Sequence, residues 1–213
     1  MDIPESVDTQ KKAQENHSKM AGTPVPSLIL SLSVSTIFTM LIATSYNIVD
    51  TYFVSDLGES SVAAVGIMFS VMALIQAVGY TWGMGAGSEI ARLLGKQKKR
   101  EAEQTLATAL AGGILAGAVL AVIFAVFRED VVRLLGATDT SLAPAGQYGI
   151  YIMLAAPVMC GAYVLNNALR AEGQPYLALL GILAGGLSNA LVDYILVRVL
   201  GLGIAGAGIA NLG

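Results

Sequence analysis

Charge is what this chain has least of. Only 13% of its 213 residues are Asp, Glu, Lys or Arg, against roughly 25% in an ordinary soluble domain, which leaves too little polar surface to clothe a water-soluble globule. Cysteine occurs once, as Cys160. That excludes an internal disulfide, and its place beside Met159 in the middle of an apolar run fits a small packing residue better than a reactive thiol. The single histidine, His17, leaves no soft ligand set for a transition metal. No short apolar core with a small-residue cleavage site precedes the first long apolar run, so residues 1–23 read as a polar, disordered tail and not as an export signal. The basic residues from Arg92 to Arg100 are diluted by Glu101 and Glu103, too weak a cluster for nucleic acid.

What the chain has instead is long hydrophobic runs. Charge-free stretches cover 20–49, 60–88, 104–127 and 140–169, and a further one, 173–192, is followed by Asp193 and then by Arg198. Each reaches the roughly 20 residues that a spanning helix needs. The expected fold is therefore all-α: a polytopic membrane helix bundle with five complete spans and the start of a sixth near Gly203. A helix ending inside lipid would leave carbonyls unmet, so the membrane part, 24–213, is expected to be the front part of a longer polypeptide. Nine of the twelve Lys and Arg residues fall on one side when loops are assigned alternately, and three (Arg128, Arg133 and Arg198) on the other. The positive-inside rule then puts the N-terminus in the cytoplasm of a cell whose plasma or inner membrane holds the protein.

The spans are expected at about 27–53, 61–86, 104–127, 144–169 and 173–197. Pro24 and Pro26 stand at the entry of the first, where missing N–H groups cost little. The second ends in Gly79, Gly83, Gly85 and Gly87; with no preceding strand and no phosphate-binding lysine nearby, this run reads as a close-contact helix face and not as a nucleotide loop. Gly113/Gly117 and Gly181/Gly185 repeat that spacing. Between the second and third spans, 89–104 is expected as a short interfacial helix with Ile90, Leu93 and Leu94 towards lipid. The loop 128–143 carries Val131, Val132, Leu134 and Leu135 and is expected to form a short helix on the bilayer. Pro157 inside the fourth span is a candidate hinge.

Two acids carry the functional argument. Asp50 and Asp193 each sit within an apolar segment, where an ionised carboxylate is expensive and usually functional. Asp50 lies six residues before Asp56, and Asp193 five before Arg198, about 9 and 7.5 Å at helical rise, so parallel helices would hold both at similar depth. Asn47 precedes Asp50 by three residues, and Asn189 precedes Asp193 by four, which places each pair on one helix face. Tyr148 and Asn211 reach comparable depths from the outer side. The first, fourth, fifth and sixth helices would then line one outer-leaflet cavity. Its hydroxyl, amide and carboxylate oxygens suit a proton or a small hard cation such as sodium. The acids should titrate as a coupled pair, and neutralising them should alter helix packing and the affinity for a second solute. A wetted helix end is the plain alternative for Asp50.

The residues also resemble a known family. Tyr46-Asn47-Ile48-Val49-Asp50-Thr51-Tyr52-Phe53-Val54, Leu57-Gly58, Ala63-Ala64-Val65-Gly66, Leu93-Leu94-Gly95, Leu169-Arg170-Ala171-Glu172-Gly173-Gln174-Pro175, Ser188-Asn189-Ala190-Leu191-Val192-Asp193 and the run Gly201 to Ala210 are together similar to the first lobe of the multidrug and toxic compound extrusion (MATE) family. The resemblance implies a twelve-helix, two-lobe antiporter, with no cofactor, that exports bulky and often cationic drug-like solutes against a proton or sodium gradient. It implies a cation pocket of Asp50, Asn189 and Asp193 with Tyr148 beside it. At position 211, where many relatives carry threonine, Asn211 still offers an oxygen. Two alternatives remain: a lipid-linked oligosaccharide flippase of the same broad superfamily, and an intramembrane aspartyl protease. The absence of Lys and Arg from the spans disfavours a pyrophosphate solute, and Asp193 precedes its tyrosine where such proteases place the acid after it.

Overall fold

The computed structural model describes residues 59–200, together with scattered positions between 24 and 48. Within it run α1 (Glu59–Gly95), α2 (Lys99–Val126), the short α3 (Arg128–Leu134), α4 (Leu142–Ala171) and α5 (Pro175–Asp193), the last continuing into a π-helical segment, Tyr194–Val199. Among the described residues there are no strands, and four helices are long and apolar enough to cross a membrane. These are the second to fifth expected spans. Of the first, the described positions from 26 to 48 are helical and expose Ile29, Leu30, Val34, Phe38, Leu41 and Ile48. The 1–23 tail and the start of the sixth helix lie outside the described residues.

Helix α1 corrects the expected boundaries. It runs unbroken for 37 residues, about 55 Å at 1.5 Å per residue, well past the hydrocarbon core. Glycines and charges around 83–92 look like a helix end, yet Gly83 and Gly87 face α4, while Gly85 and Arg92 face outward. No separate interfacial helix occupies 89–104. Ile90 and Leu93 do not meet lipid: both are buried, clustered with Ala102 of α2 and Ala168 of α4. Helix α2 accordingly starts at Lys99, five residues earlier than its apolar run, after a tight turn in which Gln97 adopts φ 59°. Left-handed backbone is uncommon for a non-glycine residue, and here it lets the Lys98 N–H reach Leu93 O at 3.0 Å.

Helices α1, α2 and α4 pack mutually, with α4 between the other two. Ala64, Met68, Val71 and Ile75 recur at helical spacing along α1 and meet Tyr148, Ile152, Ala156 and Cys160 of α4 and Phe124 of α2. Between apolar helices in lipid, water exclusion contributes little, so association depends on close approach at small residues. The glycines supply it. A Cβ at Gly79 would stand 2.7 Å from the Tyr163 ring, and one at Gly83 would stand 3.0 Å from Tyr163 O. On α2, Gly113 meets Val164, and Gly117 meets the backbone of Ala156 and Pro157. Gly181 and Gly185 of α5, though spaced alike, meet no described atom within 4 Å. Cys160 is the packing residue expected, fully buried with its Sγ 3.6 Å from Ile75 O.

The loop 128–143 does form a short helix, α3, but one that turns towards the helix core. Val132 is fully buried, and Val131 and Leu135 pack against the same core, leaving Leu134 as the exposed member at 86%. Gly136 (φ 100°) and Gly173 (φ 77°) end α3 and α4 in left-handed conformation. At Gly173 the Gln174 N–H bonds Leu169 O and the Gly173 N–H bonds Arg170 O, which caps the last turn before Pro175 starts α5.

Candidate functional site

Helix α5 carries two of the expected site residues, Asn189 and Asp193. Its neighbours Leu187 and Leu191 are 71% and 61% exposed, yet Asn189 is only 7% exposed and its Oδ1 is buried. A carboxamide turned into the protein from an otherwise apolar span is a costly arrangement unless the group is used. One turn further on, Asp193 is the last residue of α5, so the backbone is helical from Asn189 to Asp193. Only the backbone of Asp193 is described. The α-to-π change falls immediately after it: Leu200 N–H bonds Ile195 O, five residues back, at 2.9 Å. Such segments occur often at functional sites, and nothing in Tyr-Ile-Leu-Val-Arg-Val signals one.

Tyr148 lies in the first third of α4, fully buried within the core cluster that includes Met68 and Phe124. Gly149 next to it has no room for a side chain: a Cβ there would stand 2.5 Å from Phe124 and 2.9 Å from Met68 Sδ. Pro157 lies in mid-α4, with α2 backed onto it through Gly117. As a proline it leaves the carbonyl four residues earlier, at Met153, without its helical donor. Asp50, Asn47 and Asn211 lie outside the described residues. Among the described residues, no group of three His, Cys, Asp or Glu side chains gathers as a metal centre.

A second set of polar side chains, overlooked in the sequence, joins the helices on the Arg170 side. Tyr163 of α4 takes a side-chain hydrogen bond with Gln76 of α1, and its ring lies 5.0 Å from that of Tyr80, tilted by 52°. Asn166 donates from Nδ2 to Ala178 O of α5 at 2.9 Å, while Arg170 Nε donates to Asn166 Oδ1 at 3.1 Å. Arg170 is thus part of the last turn of α4 and not of a free loop. The signal was present in the i, i+4 spacing of Asn166 and Arg170, and the partner on α5 was not.

A membrane helix bundle with small-residue contacts and a buried amide beside an intramembrane acid has the build of a secondary transporter. The MatE family model matches residues 35–195, and the chain belongs to that family. Among its relatives is the multidrug export protein MepA of Staphylococcus aureus strain MSSA476, 28% identical over 190 residues, which cover 89% of this chain and 42% of that one. MepA of Staphylococcus saprophyticus is 26% identical over 184 residues. Two solved structures are 31% identical over 86% of this chain and 41% of theirs. One is an outward-facing multidrug resistance MATE transporter and the other a MOP superfamily transporter from Pyrococcus furiosus, each with a TM-score of 0.80. The chain therefore spans about two fifths of the length of these relatives. MATE family members are transporters and not enzymes, which removes the aspartyl protease alternative.

Proposed function

We propose that the chain is the amino-terminal lobe of a cation-coupled antiporter that exports bulky, often cationic drug-like solutes across the plasma membrane. Its partners are the bilayer, the solute and a carboxy-terminal lobe of the same polypeptide, and its N-terminus faces the cytoplasm. The coupling ion, proton or sodium, binds at Asp50, Asn189 and Asp193, with Asn211, Asn47 and Tyr148 nearby and Pro157 as the hinge. The observation that carries this reading is the burial of Asn189 on an otherwise largely exposed apolar helix, one turn before an acid at an α-to-π junction. The multidrug export relatives favour efflux over oligosaccharide flipping.

The mechanism follows from charge. With the acids empty, two carboxylates share a small site and repel; a proton or a sodium ion cancels that repulsion and lets the helices close. A cation drives the change only through its different affinity for the two arrangements. The solute is released as the neutralised site repacks. The test uses the complete protein in liposomes, a fluorescent cation as solute, and proton and sodium gradients imposed separately. One gradient accelerates export in the intact protein, and Asp193→Asn abolishes that acceleration while leaving insertion unchanged. Full gradient-driven export by Asp193→Asn would remove the acid from the mechanism.

A further inference from the structure

The face of the α1–α2 pair that turns away from α4 holds a groove unrelated to the cation site. Gly79, Gly83 and Gly87 point at α4; Thr81, Gly85 and Glu89 follow the same spacing two residues on, about 200° round the helix. Against them stand Glu101, Thr105 and Thr108 of α2, and the space between is about 610 Å³. Its lining is graded along the two helices. Thr81, Trp82 and Thr108 lie at the deep end, and Glu89 and Glu101 at the end nearest the basic turn 96–98. The Trp82 ring is seated by an absence: a Cβ at Gly112 would stand 2.5 Å from it. Its indole is thereby held against the groove wall, 39% exposed.

Each carboxylate already has a cation at its shoulder. Glu89 is paired with Arg92, and Glu101 with Lys98 at 2.9 Å. The mouth is therefore a neutral array of alternating charge and not an acidic patch. Both walls also continue deeper as exposed apolar rows. Leu74 lies on the Thr81 face of α1, seven residues below it, while Leu115, Val119 and Val126 repeat the Thr108 face of α2, all of them at least half exposed. The ligand this describes has two apolar tails, a negative group and a positive group that donates hydrogen bonds.

We infer that the groove between α1 and α2 binds a membrane phospholipid with a primary ammonium headgroup, of the phosphatidylethanolamine class. The ammonium donates to Glu89 and Glu101 at the mouth of the groove, while the Trp82 ring lies deeper, towards the acyl chains. The phosphate meets Arg92 and Lys98, so the zwitterion enters the existing ion pairs with no net change of charge. The acyl chains follow the Leu74 and Leu115–Val119 rows. Phosphatidylcholine carries no N–H for the carboxylates, and phosphatidylglycerol brings no cation, so headgroup chemistry discriminates among the three.

The experiment reads quenching of Trp82 emission, taken as the difference between the full-length protein and its Trp82→Phe variant. Vesicles contain an equal fraction of brominated phosphatidylethanolamine, phosphatidylcholine or phosphatidylglycerol. The ethanolamine lipid quenches at least threefold more than the choline lipid, and the preference falls to unity in Glu89→Gln/Glu101→Gln. Equal quenching by the ethanolamine and choline lipids overturns the assignment, as does stronger quenching by the glycerol lipid, which would make the basic turn the attractor. Absence of quenching by any lipid overturns it too, since another part of the protein would then fill the groove. None of these readings depends on transport activity.

Discussion

Gly117 of α2 rests on the backbone of α4 at its proline: a Cβ added there would stand 2.6 Å from Ala156 O and 2.8 Å from Pro157 Cα. Main-chain atoms cannot swing aside as a side-chain tip can, so the two helices must separate to admit even one carbon. Gly117→Ala should cost about 1–3 kcal/mol, the usual range for overpacking. Gly85→Ala, exposed and with no described atom within 4 Å, should be neutral or should gain up to ~1 kcal/mol of helix propensity. Unfolding of both variants in detergent micelles measures the difference, and equal stability would remove the α2–α4 contact as a structural determinant.

Tyr148 combines packing with a hydroxyl, and two substitutions separate them. Tyr148→Ala empties a fully buried position and should lower stability by about 3–5 kcal/mol. Tyr148→Phe keeps the ring and should leave stability within about 1.5 kcal/mol. If the hydroxyl serves the cation site, the phenylalanine variant also needs a higher cation concentration for half-maximal export; an unchanged requirement confines Tyr148 to the core.

Asn189 allows a graded test of the site. Asn189→Leu removes every oxygen from the buried position and should raise the half-saturating cation concentration at least tenfold, which corresponds to about 1.4 kcal/mol. Asn189→Asp retains an oxygen donor and should lose less affinity for sodium. Export kinetics across a series of ion concentrations read both effects, and identical curves for the leucine variant and the parent protein would exclude Asn189 as a ligand.

The link from Asn166 to Ala178 O should hold the start of α5 against α4. Asn166→Leu keeps the volume and deletes the bond, at a cost of about 1 kcal/mol. Amide hydrogen exchange in the first two turns of α5 should speed up several-fold while exchange in α1 stays as it was.

Residue pattern carried much of this architecture into view. Charge-free runs located the four described spans because a helix in lipid must be apolar along its length, and the spacing of Gly79, Gly83 and Gly87 marked a true contact face. The same spacing at Gly181 and Gly185 meets no described partner, because glycine permits close approach without causing it. The end of α1 was misplaced for a related reason. Charges and glycines near 83–92 resemble a stop signal, and only the tertiary contact of Ile90 and Leu93 with Ala102 and Ala168 keeps the helix going. Of the candidate site, the burial of Asn189 followed from its spacing with Asp193. The bond from Asn166 to α5 did not, since a main-chain acceptor has no residue identity to read.

The wide turns after Asp193 have a geometric result of their own. Each takes in more residues than the 3.6 of a regular coil, and one surplus residue swings everything beyond it by about 100°. Compass bearings counted forward from Asn189 therefore fail at Val199, which is aimed by the bulge and not by the periodicity before it.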